Sequence, residues 1–70
     1  MSELTVLARV KLARAQGLMV FWNDGQDRWL WISSLEGSNA FFQKMSQGYV
    51  DLHNVALKDL LFLQRSEVLD

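Results

Sequence analysis

The sequence predicts an α+β domain: a small antiparallel sheet built from a three-stranded meander, one helix and two further strands, with the helix on one face. Three observations predict it. Leu18 to Asn23 and Arg28 to Ser33 are aromatic and β-branched runs separated by Asp24-Gly25, which reads as a hairpin. Leu35, Phe41, Phe42 and Met45, wound as a helix, fall within an arc of about 120°, which reads as an amphipathic helix on the sheet. Leu60-Leu61-Phe62-Leu63 is apolar on every side and too short for a helix, which reads as an interior strand. The alternative is a helix–hairpin–helix–helix arrangement, with a helical start and end around the same hairpin.

At the N-terminus, Thr5 to Arg14 is rich in helix formers, yet its alternation is cleaner than its helical stripe. As a strand it sets Val6, Ala8, Val10 and Leu12 on one side and carries Arg9 and Lys11 on the other. As a helix it drops Lys11 between Leu4 and Leu7 and turns Leu12 away. A first strand is therefore expected, with Gly17 as the turn into the next; Gly17 would equally stop a helix begun at Ser2.

The hairpin follows, with Asn23-Asp24-Gly25-Gln26-Asp27 as its loop. Setting Trp22 across from Trp29 places Val20 opposite Trp31 and Phe21 opposite Leu30. One side then carries Val20, Trp22, Trp29 and Trp31, and the other Met19, Phe21, Leu30 and Ile32. Next, Ser33 and Glu36 stand three apart as a capping box, with Ser38 as a later cap, and a helix is expected from Leu35 to Gln47, stopped by Gly48. It should cover the face with Met19, Phe21, Leu30 and Ile32. Tyr49 to Leu52 alternates again, with Val50 and Leu52 inward. His53-Asn54 reads as a turn, Leu60 to Leu63 closes the sheet, and residues 66–70 are expected to fray.

Seventy residues make a single globular domain, 1–70, of a size at which one core supplies little stability without a cross-link or a partner. There is no cysteine for a disulfide, and with one histidine there is no structural zinc set. The hydrophobic fraction of 50% is high enough to fold the chain. No run approaches the roughly 18 apolar residues of a membrane span, and no signal pattern opens the chain, so no membrane partner and a cytoplasmic location are expected. Proline is absent, so edge strands lack that protection.

Catalytic chemistry is sparse. His53 lies two residues from Asp51 and reads as a surface turn residue. Asp24 and Asp27 flank Gly25 but offer too few oxygens for calcium, and turn chemistry explains both. No nucleophile elbow, phosphate loop or zinc-protease motif occurs. The expectation is a non-enzymatic chain without catalytic residues, metal, cofactor or small-molecule substrate.

Function is expected to reside in the hairpin. A chain this short covers one hydrophobic sheet face with its own core, but not two. Val20, Trp22, Trp29 and Trp31 would anchor another protein chain, most simply a second copy in a homodimer, with Arg28 and Asp27 at the rim. This describes an adaptor, inhibitor or regulatory subunit. The alternative is single-stranded nucleic acid, its bases stacked on tryptophan and its phosphates held by Arg9, Lys11 and Arg14. A net charge of −1 favours the protein partner.

Overall fold

The computed structural model describes residues 5–42 and 48–68. Helix α1 (Val6–Ala15) precedes strands β1 (Met19–Asn23), β2 (Trp29–Glu36), β3 (Asn39–Phe42) and β4 (Tyr49–Asp51). Two 3₁₀ turns, Leu52–Asn54 and Leu57–Asp59, lead to β5 (Leu60–Leu63) and a four-residue helix α2 (Arg65–Val68). The chain is α+β, with one main helix and a five-stranded antiparallel sheet in the order β4-β3-β2-β1-β5. The helix–hairpin–helix–helix alternative is not what forms.

The first element is a helix rather than the expected strand, and its ends show why. Thr5 Oγ1 accepts a hydrogen bond from the Ala8 N–H at 3.1 Å, capping the first turn. At the other end Gly17 takes φ +83°; its N–H donates to the Arg14 carbonyl, and the Leu18 N–H donates back to Ala13, each at 3.0 Å. Those two bonds are a Schellman stop, which satisfies carbonyls a strand would have left for a neighbour. The buried stripe is Val10 and Ala13, with Val6 and Leu7 packed beside them. It is narrow and made of small side chains, whereas Lys11 and the 51% exposed Leu12 face away. A stripe so narrow looks weak beside a chance alternation; the caps close both ends of the helix, and packing of Val10 and Ala13 on the sheet gives the stripe its partner.

The expected helix from Leu35 to Gln47 is also replaced. Leu35 and Glu36 end β2, Gly37 and Ser38 make a two-residue turn, and Asn39–Phe42 returns as β3 with Glu36 opposite Asn39. Gly37 alone of the two turn residues has positive φ, at +63°, the pattern of a hairpin turn led by glycine. Ser33 and Glu36, read as a capping box, are strand residues. Residues 43–47, the rest of that expected helix, lie outside the described residues.

Strand β2 serves two ladders. Its first half pairs with β1, and after an irregularity between Ile32 and Ser34 its second half pairs with β3. A bulge of this kind bends a sheet and leaves carbonyls unpaired. Arg14 meets them from α1: Nη1 donates to the Ile32 carbonyl at 2.8 Å and Nη2 to Ser33 at 3.3 Å. The core beneath gathers Val10 and Ala13 of α1, Val20, Ile32, Ala40, Phe42 and Leu60 of the sheet, and Leu52 and Val55 between β4 and β5. Trp22 stacks on Phe42 against it, with ring centroids 5.4 Å apart. Strands β4 and β5 form within the stretches that the alternation and the apolar run mark, but Leu52 passes into the 3₁₀ turn and β5, read as an interior strand, lies at the edge of the sheet beside β1. Residues 65–68, expected to begin fraying at 66, form α2. No helix among the described residues is long and apolar enough to cross a membrane.

Candidate interaction surface on the outer sheet face

The hairpin loop sets the register, and the register differs by one residue from the expected one. Asn23 pairs with Trp29, Trp22 with Leu30 and Phe21 with Trp31. The loop chemistry explains the slip. Asn23 Oδ1 accepts from the Gly25 N–H at 2.7 Å and Asp24 Oδ1 from the Gln26 N–H at 2.8 Å, two successive side-chain turns. The Asp24 N–H then donates to the Arg28 carbonyl at 3.2 Å, so the loop runs from Asp24 to Arg28 and Asn23 joins the strand.

A one-residue slip moves every side chain of one strand to the other face relative to its partner. Val20 and Trp22 therefore share the core face with Leu30 and Ile32. Val20 is 1% exposed, so as an expected partner anchor it is corrected to a core residue. Trp22 lies half-buried against the core. Trp29 and Trp31 remain on the outer face, where Phe21 and Met19 join them. Met19 and Phe21 are expected under a helix; no helix among the described residues covers them, because α1 packs on the opposite side with Val20 and Ile32.

Strand β5 widens this outer face. Leu61 pairs with Phe21 and Leu63 with Met19, so Met19, Phe21, Trp29, Trp31, Leu61 and Leu63 lie on one side of three adjoining strands. Trp29 is 43% and Leu61 36% exposed, and none of the six belongs to the core cluster among the described residues. Sequence reasoning missed Leu61 and Leu63, since an all-apolar run does not say which alternate residues face out. Farther along the bent sheet, Phe41 and the exposed Tyr49 stand opposite each other with ring centroids 5.6 Å apart.

Arg28 sits at the rim, with Nε and Nη2 donating to Asp24 Oδ2 at 2.8 and 2.7 Å. The Asp24 carboxyl is held below its ordinary value by the Gln26 N–H and, after a smaller opposing effect of desolvation, by Arg28. Asp27, the other expected rim residue, is exposed with φ +61°. Of the basic residues proposed for phosphates, Arg9 and Lys11 are exposed on α1, on the far side of the sheet from Trp29 and Trp31, while Arg14 is spent on the bulge carbonyls. The structure does not bring Arg9 and Lys11 to those tryptophans.

His53 and Asp51 do meet: Nδ1 and Oδ1 are 3.4 Å apart, and the same oxygen accepts the His53 N–H at 3.0 Å. That N–H is the main reason the Asp51 carboxyl lies below its ordinary value; desolvation opposes it, and the Ser38 hydroxyl and the His53 ring add to it. Both side chains are solvent-accessible and the contact caps a 3₁₀ turn, a structural use of the pair. No group of three or more metal-ligating side chains gathers among the described residues. Comparison with protein-family models, curated proteins and solved structures returns no match for this chain.

Proposed function

We propose that this chain is a small non-enzymatic protein-interaction domain, an adaptor, inhibitor or regulatory subunit of the cytoplasm, that self-associates and acts through the outer face of β2, β1 and β5. The observation that carries the reading is the set Met19, Phe21, Trp29, Trp31, Leu61 and Leu63 on one side of three neighbouring strands, outside the core cluster. Aromatic side chains offer about 150–250 Å² each for burial, and tryptophan is a favoured anchor of protein interfaces. The Asp24–Arg28 pair at the loop supplies a polar rim. The absence of cysteine fits a reducing compartment.

Solution mass measured beside thermal unfolding tests it. Trp31→Ala should lower the mass of the assembled species while shifting the unfolding midpoint by less than about 8 °C, roughly what 1 kcal/mol does in a domain of this size. A native chain that stays monomeric at high concentration, with Trp31→Ala unfolding outright, would make the outer face ordinary core and end the proposal. Association should respond little to salt, as burial of apolar surface requires; a steep loss with ionic strength would instead indicate phosphate contacts.

A further inference from the structure

We infer that the groove between α1 and the free edge of β5 takes an extended acidic peptide, added to the sheet as a further strand, with a carboxylate side chain on Arg9 and an apolar side chain beside it. Phe62, which lines this groove, pairs with the buried Val20, so the site lies on the core side of the sheet, where α1 packs. Trp29 and Trp31 are on the other side, and the inference does not depend on the self-association proposed above.

Two features of the fold make the site. Strand β5 ends the sheet, and among the described residues it pairs only with β1. Successive residues of a strand aim their N–H and C=O groups at opposite edges, so two of the four residues Leu60–Leu63 present theirs outward to a newcomer. None of the four is a proline or a charged residue, the usual guards of such an edge. The second feature is a stripe of α1. Arg9, Leu12, Ala13 and Gln16 stand at helical spacing i, i+3, i+4 and i+7, and with Leu18 and Phe62 they line an open groove of about 360 Å³. That is near the small end of the roughly 300–1,000 Å³ of ligand sites, which admits a few side chains rather than a folded surface. Leu12, 51% exposed, belongs to neither the core nor the outer sheet face, and this groove is where it lies.

Charge and spacing identify what enters. Arg9 alone is charged among the described residues lining the groove. The ion pairs formed among the described residues are Asp24–Arg28 and Asp51–His53, so Arg9 has no carboxylate partner there, whereas Arg14 on the same helix is held by the bulge carbonyls. A guanidinium fork matches a carboxylate in geometry and charge. Along the helix axis Arg9 stands about 6 Å from Ala13, at 1.5 Å per residue. Alternate side chains of a strand are about 6.7 Å apart, so an acidic residue two positions from an apolar one meets Arg9 and the Leu12–Ala13 wall together. Gln16 closes the other end with an amide able to donate and accept. A fatty-acid carboxylate would satisfy Arg9 and the apolar wall but leave the outward backbone groups of β5 unused; a peptide engages all three.

Fluorescence polarisation on the full chain tests this with labelled, C-terminally amidated hexapeptides. In them threonine alternates with leucine and with glutamate, glutamine or lysine, leucine and the variable residue two apart in both orders. At least one glutamate peptide should bind with Kd below 1 mM, about tenfold tighter than its lysine counterpart. Arg9→Glu should reverse that preference; Arg9 is exposed, and circular dichroism checks that the variant folds. N-methylating alternate residues of the best peptide should abolish binding for one alternate set and spare the other, because only one set faces the edge of β5. Binding should persist in Trp31→Ala, which keeps this groove separate from the outer face. No glutamate peptide bound at millimolar concentration, a preference unmoved by Arg9→Glu, or loss of binding in a folded Trp31→Ala overturns the site. Equal tolerance of both methylated sets, with dodecanoate displacing the peptide, overturns strand addition in favour of an acyl ligand.

Discussion

The Arg14 guanidinium, reaching from α1 across the sheet, donates to the Ile32 carbonyl at 2.8 Å, at the point where β2 leaves one ladder for the other. A second bond, 3.3 Å to the Ser33 carbonyl, completes the contact. The helix thus does more than cover apolar side chains: its one half-buried cation supplies partners that the bulge removed.

Removing that cation should destabilise the fold. Arg14→Leu leaves both carbonyls without their donor, and hydrogen bonds from charged groups contribute about 1.5–3 kcal/mol. Arg14→Lys should recover part of the loss, since an ammonium is a point donor rather than a fork. Urea unfolding of the three proteins measures it; equal midpoints for Leu and Arg would mean that water serves the bulge as well.

The register makes opposite predictions for aromatic residues on the two faces. Phe42→Ala removes the ring on which Trp22 stacks, and a buried Phe→Ala change costs about 3–5 kcal/mol, comparable to the whole stability of a domain this size. That variant should be largely unfolded at 25 °C. Trp29→Ala, on the outer face, should stay folded within about 1 kcal/mol of the native chain. Tryptophan fluorescence during denaturant titration separates them, and the reverse order would refute the register.

The stop of α1 is also testable. Gly17 at φ +83° permits a conformation in which a Cβ costs about 1–2 kcal/mol, although the space around it is open. Gly17→Ala should lower stability by roughly that amount, and Thr5→Ala at the other end by about 1 kcal/mol. The two ends share no partner, so the double variant should be close to additive.

Acid should weaken the hairpin loop. The Asp24 and Asp51 carboxyls both lie below the ordinary value of 3.8, so the folded state binds their protons less readily than the unfolded state does. Their contribution is complete above about pH 4 and is lost as the pH falls below 3.8 through the lowered folded values. Urea midpoints followed from pH 6 to pH 2.5 should fall less steeply for Asp24→Asn than for the native chain. An identical slope would show that the Gln26 and Arg28 contacts do not stabilise the charged form.

Local chemistry determined much of this protein from sequence alone: the α+β class, the aromatic hairpin, the inward Val50 and Leu52, the β5 strand, and an excess of hydrophobic sheet. Each rests on near-neighbour terms, namely alternation, turn residues and strand length. Tertiary structure decided which segment is the helix and which face each hairpin residue takes. Val6–Ala15 alternates by chance, and its helical stripe gains meaning only once Val10 and Ala13 lie on Val20 and Ile32. The pairing of Trp22 with Leu30 follows from side-chain turns at Asn23 and Asp24 that shift a five-residue loop by one position. Period two makes the faces of a strand unambiguous relative to one another, but only the bonds that close the loop say which residue stands opposite which.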